Sequence, residues 1–263
     1  MILEFYKYHG AGNDFIILDN RQESLELSSK QIAFLCHRHK GIGADGLMLL
    51  ESSTSSDFYM KYYNSDGQKG SMCGNGGRCI IAFAHDRGLI QEYYYFEASD
   101  GLHNAQILNS YENEKIVKLK MTDVQISKQN SKHLIIDTGS PHYINFEENT
   151  KQLDVKTLGK KIRENKKISA DGVNVNYILE NKNQLFVRTF ERGVEDETLA
   201  CGTGVTAAAI ASGIRQKLIY NEFDIETLGG KLKVSFTSLD GENFKNIFLT
   251  GPAAFVFKGQ IKL

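Results

Sequence analysis

The chain has 263 residues, of which 41% are hydrophobic and 24% are charged, and its formal net charge is −1. These proportions are ordinary for a soluble globular protein, and the balanced charge gives no electrostatic basis for binding nucleic acid or an anionic membrane. The longest apolar runs, around 79–84 and 205–211, are too short to span a bilayer, and the N-terminal sequence does not have the pattern of a signal peptide. We therefore expect a cytoplasmic protein without nucleic-acid or membrane partners.

In chain order, the first half of the sequence predicts mainly strands. The runs DFIILD (14–19), LMLLE (47–51), FYMKYYN (58–64) and YYYFEA (93–98) are apolar or alternating, with turn residues between them. An amphipathic helix is predicted over 28–38, with Ser28 as its N-cap. The segment after Cys73 is apolar on nearly every face, which predicts a helix buried inside its sheet.

The second half predicts the same kinds of element. The strand-like runs are HLIID (133–137), VNYILE (175–180), LFVRTFE (185–191), FDIET (223–227) and KLKVSF (231–236). An amphipathic helix is predicted over 153–165, and a second buried helix follows Cys201. The last run, AAFVFKG (253–259), is expected to return and complete the first half.

The two halves repeat each other. CGNGGRCIIAFA (73–84) corresponds to CGTGVTAAAIAS (201–212), the Ala-Asp-Gly of 44–46 recurs at 170–172, and GAGNDFIIL (10–18) corresponds to DTGSPHYIN (137–145). The three matches occur in the same order at offsets of 126 to 128 residues, which indicates a duplicated domain.

The duplication defines the predicted fold. We expect an α+β protein of two pseudo-symmetric domains, each a curved sheet or barrel around a central helix, with the active site in the cleft between them. The N-terminal domain would comprise residues 1–116 completed by 251–263, and the C-terminal domain residues 117–250.

The four cysteines do not have the pattern of a disulfide framework or of a zinc site. Only CHRH (36–39) approaches a paired-ligand spacing, and no second pair accompanies it, so Cys36 is expected in the core. Cys79 is expected to pack within its helix. GIGADG (41–46) has the glycine spacing of a dinucleotide-binding loop. A dinucleotide-binding loop follows a strand and begins a helix, whereas GIGADG comes before a predicted strand. We therefore predict neither a metal nor a cofactor.

Cys73 and Cys201 have a different context, because each is expected at the N-terminus of a buried helix. Unpaired amides and the helix dipole there favour a thiolate, and the same amides can bind a carboxylate. If the halves face each other, the two thiols would flank one ligand from opposite sides. Two acid–base groups on opposite faces of one carbon are what a two-base racemase or epimerase requires.

Seven motifs together resemble the diaminopimelate epimerase family: HGAGNDF (9–15), GIGADGL (41–47), YNSDG (63–67), MCGNGGRC (72–79), SPH (140–142), the segment from Gly172 to Ile178, and the segment from Glu191 to Gly204. The resemblance implies a cofactor-independent isomerase that converts LL-diaminopimelate to the meso form, in the route to lysine and peptidoglycan. It also implies the two-domain fold and a homodimer.

The resemblance also implies roles for individual residues. Four residues would be catalytic: Cys73, Cys201, His142 and Glu191. Cys73 and Cys201 would be the two bases, and His142 would tune a nearby thiol. The reacting end of the substrate would be bound by five residues: Asn13, Gly74, Asn75, Gly202 and Thr203. The distal end would be bound by Asn64, Asn174, Glu191 and Arg192, of which Glu191 would meet an ammonium and Arg192 would form a fork with a carboxylate. Ser140 replaces an asparagine that many members have.

Other interpretations remain open on the residues alone. Asn13 and Asn64 have the composition of ordinary turn residues. The two thiols could form a redox pair, although a redox enzyme more often carries C-x-x-C, and a non-catalytic amino-acid-binding protein would not need a cysteine in each half. Among enzymes, the alternative is another cofactor-free isomerase of this fold, such as a proline or hydroxyproline racemase, which usually has histidine where this chain has Asn75.

Overall fold

The computed structural model describes residues 1–22, 24–70, 72–126 and 134–263, and it contains two compact units. The first unit contains residues 1–119 and 251–263, and the second contains residues 120–250. The helices are α1 Ser29–Cys36, α2 Gly74–Asp86, α3 Val155–Arg163 and α4 Gly202–Gln216. The strands are β1 Ile2–Gly10, β2 Asn13–Asn20, β3 Gly46–Glu51, β4 Phe58–Asn64, β5 Tyr94–Ala98, β6 Gly101–Ser110, β7 Glu114–Lys120, β8 Val124–Gln125, β9 Ile135–Asp137, β10 Pro141–Phe146, β11 Asn174–Asn181, β12 Gln184–Glu191, β13 Asp196–Thr198, β14 Tyr220–Thr227, β15 Gly230–Ser238 and β16 Asn243–Lys262.

The first unit is a closed barrel around α2. Strands β1 to β7 pair in chain order, and the C-terminal part of β16 pairs with both β7 and β1, which closes the ring. Helix α2 packs on β1, β2, β3 and β6. Its residues 74–84 are all buried, because a helix inside a barrel has no face toward water. This arrangement confirms the buried helix and the closing strand predicted from the sequence.

The second unit also has its strands arranged around a central helix, α4. Its strands follow the order β8, β16, β15, β14, β12, β11, β10 and β9, and β13 is added to β12. Residues 243–250 of β16 belong to this unit. Helix α4 packs on β9 to β12, β14 and β15, and most of its first three turns are buried.

The pairing pattern confirms the duplication. In the first unit β2 and β3 are parallel, β3 and β4 antiparallel, β4 and β5 parallel, and β5 and β6 antiparallel. The second unit has the same sequence of pairings from β10 through β11, β12 and β14 to β15. Helices α1 and α3 occupy equivalent connections between the parallel strands. The predicted α+β class with two duplicated domains is therefore correct.

The helix starts follow from local chemistry. Ser28 is the N-cap of α1, as predicted, and its hydroxyl accepts from the Gln31 backbone amide. The Gln31 side-chain oxygen in turn accepts from the Ser28 backbone amide. The Asp154 carboxylate accepts from the Thr157 amide at the start of α3. The predicted helices over 28–38 and 153–165 are each shorter by one to two residues at either end. His133, the first residue of the predicted HLIID strand, lies outside the described residues.

Within the described part of the chain, no helix is both long and apolar enough to cross a membrane.

Candidate active site

Cys73 occupies the N-cap position of α2 with extended backbone dihedrals, φ −102° and ψ 129°. The peptide amides that follow it belong to the first helical turn, where backbone N–H groups have no partner inside the helix. Cys73 itself is partly exposed, whereas Gly74 and Asn75 are buried. The structure thus places a thiol beside the positive end of a helix dipole, as predicted.

Asn13 links this helix start to the turn before β3. Its side-chain oxygen lies 3.7 Å from the Cys73 sulfur and accepts from the side-chain amide nitrogen of Asn75 at 3.3 Å. Its side-chain nitrogen donates to the Asp45 carboxylate at 2.7 Å, and Asp45 also binds Arg38 at 2.7 Å. These contacts bring together Cys73, Asn13 and Asn75, and they hold the Asn13 oxygen toward the sulfur.

Asn64 lies at the end of β4, where it is exposed. Its backbone closes the turn that follows, since its carbonyl accepts from the Gly67 amide at 2.9 Å. The two contacts that bring Asn13, Cys73 and Asn75 together do not involve Asn64.

Arg78 lies one turn into α2 and is completely buried. Its guanidinium donates to the Gly74 carbonyl at 3.2 Å, the Asn75 side-chain oxygen at 3.0 Å and the Pro252 carbonyl at 3.3 Å. No carboxylate of the described residues contacts it. Desolvation lowers the pKa of Arg78, while negative charge on Cys79 or Cys73 acts in the opposite direction.

Cys201 is the equivalent N-cap of α4, with φ −114° and ψ 114°. Its side chain is 7% exposed, and its sulfur lies 3.4 Å from the Thr203 hydroxyl. Gly202 is buried in the first turn of the helix. Both cysteines therefore occupy the same backbone position in the two repeats, although the side chains around them differ.

His142 on β10 reaches the Cys201 thiol through Thr203. The His142 Nε2 lies 2.9 Å from the Thr203 hydroxyl, and Nδ1 lies 3.0 Å from the Asn176 amide nitrogen. His142 is completely buried, and desolvation lowers its pKa to about 3. It is therefore a neutral imidazole at physiological pH and cannot supply a proton as an acid there.

Asn174 joins the residues predicted for the distal end in this unit. Its amide nitrogen donates to the Ser140 hydroxyl at 2.7 Å and the Pro141 carbonyl at 3.2 Å, and its oxygen accepts from the Arg192 backbone amide at 2.8 Å. The Arg192 guanidinium donates to the Gly172 carbonyl at 3.3 Å. Glu191 accepts from the Thr198 hydroxyl at 3.0 Å.

Sequence reasoning missed three buried polar residues that support these sites: Arg78, Asn176 and Thr189. Arg78 lies in the CGNGGRC motif, and its charge directly before the apolar run 79–84 was the available signal. Asn176 lies two residues after Asn174 on β11, so both point to the same face of the sheet. Thr189 becomes a neighbour only through strand pairing with Asn176.

The other cysteines belong to the packing. Cys36 is buried in the core beside Ile32, and burial raises its pKa to about 12. Cys79 is completely buried in α2, and desolvation raises its pKa too. Among the described residues, no group of three His, Cys, Asp or Glu side chains could hold a metal ion. Both cysteines occupy the packing positions predicted for them.

Comparison with known sequences gives a consistent result over almost the whole chain. The profile of the family described as diaminopimelate epimerase matches residues 5–127 and 134–256. A diaminopimelate epimerase of Flavobacterium psychrophilum is 47% identical over 98% of this chain and 100% of its own length. One from Chlorobaculum tepidum is 44% identical over 97% of this chain and 99% of its own.

Solved structures with low sequence identity share the fold. A Bacillus anthracis phenazine biosynthesis protein of the PhzF family superposes with a TM-score of 0.77 at 17% identity, with both chains covered completely. A hydroxyproline epimerase from Agrobacterium vitis gives a TM-score of 0.69 at 15% identity, covering 100% of this chain and 93% of that one.

Proposed function

Because this chain belongs to the diaminopimelate epimerase family, we propose that Cys73 and Cys201 are the acid–base pair with which it converts LL-2,6-diaminopimelate to the meso form. The protein is an isomerase. The observation that supports this assignment of residues is that both repeats put a cysteine at the N-cap of the buried helix, with nearly the same backbone dihedrals. A duplicated binding fold would not need a thiol at both places.

The reaction requires two proton transfers at one carbon. The thiolate of one cysteine takes the α-proton, and the electrons of the broken C–H bond move into the carboxylate to give an enolate-like dianion. The thiol of the other cysteine then gives its proton to the opposite face, and those electrons form the new C–H bond. The negative charge ends on the second sulfur, so the reverse reaction uses the same groups in exchanged roles.

The helix starts supply the electrostatic stabilisation that this charge development requires. Backbone amides of Gly74 and Asn75, and of Gly202 and Thr203, are first-turn donors suited to the reacting carboxylate. Their positions are held before substrate arrives, because Asn75 is hydrogen-bonded to Asn13 and Arg78. Preorganised donors of this kind commonly contribute about 3–4 kcal/mol each to transition-state stabilisation.

The distal end of the substrate carries a second carboxylate and a second ammonium, for which Arg192 and Glu191 have the complementary charges. Arg192 offers a planar fork to a carboxylate. Asn174 contributes by holding the Arg192 backbone and Ser140, since its own amide already makes those bonds. Asn64, exposed at the end of β4, is the fourth residue that we assign to the distal end.

Three further properties belong to the proposal. The reaction proceeds without pyridoxal phosphate, because the two thiols and the helix amides supply the acid–base and electrostatic chemistry. The protein acts in the cytoplasm and forms a homodimer.

Proton NMR in D₂O tests the proposal directly. Reduced protein is incubated with LL-diaminopimelate and no added cofactor, and the α-proton signal should disappear as the meso isomer forms. Proline and hydroxyproline serve as alternative substrates in parallel samples. Free thiols with no exchange on diaminopimelate would contradict the proposal, and exchange on proline alone would support the racemase alternative.

A further inference from the structure

The buried polar groups around His142 form a chain of hydrogen bonds that ends at the Cys201 sulfur. Four contacts connect Thr189, Asn176, His142, Thr203 and Cys201, at 2.9, 3.0, 2.9 and 3.4 Å in that order. His142 and Asn176 have no exposed surface, and Thr189 is 3% exposed. The donor and the acceptor in each of these hydrogen bonds determine whether Thr203 donates to the Cys201 sulfur or accepts from it.

The Tyr143 backbone fixes the orientation of the Asn176 amide. The Asn176 nitrogen lies 3.3 Å from the Tyr143 carbonyl oxygen, which can only accept a hydrogen bond. The NH₂ group must therefore be the end that faces both Tyr143 and His142. The Asn176 oxygen at the other end accepts from the Thr189 hydroxyl.

This orientation also fixes the tautomer of His142. Because the Asn176 NH₂ donates to Nδ1, that nitrogen must be unprotonated, and the neutral ring carries its proton on Nε2. Asn174 lies 3.5 Å from Nε2, but both of its amide protons are directed to Ser140 and Pro141. The Nε2 proton is thus directed to the Thr203 hydroxyl oxygen.

The tautomer determines what Thr203 can offer to the thiol. With His142 donating to its oxygen, Thr203 cannot give its own proton to the ring, so that proton is available to the sulfur. In the opposite tautomer the hydroxyl would donate to Nε2, and the sulfur would lose the hydrogen bond from Thr203. Two charged residues lie at the end of β12. The positive charge of Arg192 disfavours the imidazolium and so adds to the lowering of the His142 pKa, while the Arg192 guanidinium donates to the Gly172 carbonyl. Glu191 accepts from the Thr198 hydroxyl.

We propose that Asn176 is a positioning residue, which holds His142 in the Nε2-protonated tautomer so that Thr203 donates to the Cys201 thiolate. The inference rests on the proposed role of Cys201 as a base. It assigns a task to Gly204 as well, since a Cβ there would lie 2.6 Å from the Asn176 oxygen and 3.2 Å from the Thr189 hydroxyl. The same hydroxyl can accept from Cys201 when the sulfur is protonated, so the arrangement serves both states of the thiol.

The first measurement is ¹⁵N NMR of histidine-labelled parent protein, with the His142 signals assigned by comparison with His142→Gln. We expect an unprotonated Nδ1 and a protonated Nε2 throughout the pH range 5 to 8. A protonated Nδ1, in either the neutral ring or an imidazolium, would overturn the proposal whether or not any variant folds.

The second measurement compares Asn176→Leu with Asn221→Leu, a change at another buried asparagine of the same unit, which packs near Gly213 in the last turns of α4. Alkylation of each cysteine by iodoacetamide at pH 7 is followed by mass spectrometry. Asn176→Leu should populate the Nδ1-protonated tautomer and slow Cys201 alkylation about tenfold, with Cys73 unchanged. Asn221→Leu should leave the alkylation rates of both Cys73 and Cys201 at the parent values.

These readings need no turnover, so they separate this inference from the proposed function. Parent-like Cys201 alkylation in folded Asn176→Leu would overturn the positioning role even if the protein is an active epimerase. Slower Cys201 alkylation in Asn176→Leu, together with a parent protein that does not exchange diaminopimelate, would instead support the positioning role and contradict the substrate assignment.

Discussion

The two helix starts share a backbone and differ in the groups behind them. Cys73 and Cys201 are N-caps with φ values within about 12° of each other, and each is followed by Gly-x-Gly. Behind Cys73 lies a buried cation, Arg78, and a carbonyl oxygen of Asn13 faces the sulfur. Behind Cys201 the buried polar side chains are the uncharged His142, Asn176 and Thr206, and the Thr203 hydroxyl faces the sulfur.

The matched residues Arg78 and Thr206 make this difference clear. Both donate to the carbonyl four residues earlier, Arg78 to Gly74 at 3.2 Å and Thr206 to Gly202 at 2.9 Å. The two repeats therefore share this hydrogen bond, but its donor is a charged guanidinium in the first repeat and a neutral hydroxyl in the second. A fold that is symmetric in its backbone can thus hold two thiols that are chemically inequivalent.

The largest expected effect comes from removing either thiol. Cys73→Ala and Cys201→Ala should each lower kcat for epimerisation by at least about 10³-fold, because inversion needs a group on both faces of the carbon. Each variant should still exchange the α-proton of one stereoisomer with D₂O, and the two variants should exchange opposite isomers. NMR of both LL- and meso-diaminopimelate measures this, with circular dichroism to check folding. Inversion by either single variant would contradict the two-base mechanism.

The second-largest expected effect is a difference in stability between alanine variants of the matched glycines Gly204 and Gly76. A Cβ at Gly204 would lie 2.6 Å from the Asn176 oxygen, in a fully buried polar network. A Cβ at Gly76 would meet the Met48 sulfur at 3.2 Å and the Met60 methyl at 3.4 Å, both ends of flexible side chains. Alanine gains up to about 1 kcal/mol in helix propensity at either position.

We therefore expect Gly204→Ala to lower the free energy of unfolding by about 2 kcal/mol and Gly76→Ala to change it by less than about 1 kcal/mol. Urea unfolding followed by circular dichroism and by tyrosine fluorescence measures both variants. Equal losses at the two positions would show that the rigidity of the Asn176 network does not distinguish the repeats.

Much of the architecture could be predicted from residues 10–18, 44–46 and 73–84 with their counterparts, because a repeated motif order implies a repeated fold. The central helices were predictable from their apolar faces, and the closing strand from AAFVFKG. Six strands of the described residues were not predicted: β1, β6, β7, β8, β10 and β13. In β7 burial alternates over EKIVKLK, but the residue types do not follow it, because the charged Lys115 is buried and the apolar Ile116 is only half-buried.

The candidate site was predictable only as far as its motifs extend. The two cysteines stand out because glycines and an apolar helix follow each of them, so their backbone positions could be derived locally. The supports of Cys201 come from β10, β11 and β12, and their hydrogen bonds exist only after long-range strand pairing. Asn176 and Thr189 lie opposite each other in an antiparallel pair, 13 residues apart in sequence. No short motif indicates that contact.

The smallest expected effect tests the charge difference itself, through Arg78→Met and Thr206→Val. Cys79 is also close to Arg78, but burial keeps that thiol protonated, so Cys73 is the sulfur whose negative charge the buried cation can stabilise. Four further ionic groups form salt bridges with one another near Asn13: Lys7 and Arg38 with Asp14 and Asp45. Their charges cancel, so they do not oppose the effect of Arg78 on Cys73. Arg78→Met should therefore slow iodoacetamide alkylation of Cys73 at pH 7 by about tenfold, as expected for the loss of one nearby positive charge.

Thr206→Val removes a neutral donor, so alkylation of Cys201 should change by less than about twofold. Arg78→Lys keeps the charge without the planar fork and should lie nearer the parent than Arg78→Met. Mass spectrometry resolves the two cysteines in each variant, and the unchanged cysteine of the other repeat is the internal reference. If Arg78→Met and Thr206→Val slowed their own cysteines equally, the matched hydrogen bonds to Gly74 and Gly202 would be what supports the thiols. The charge of Arg78 would then have no part in making them inequivalent.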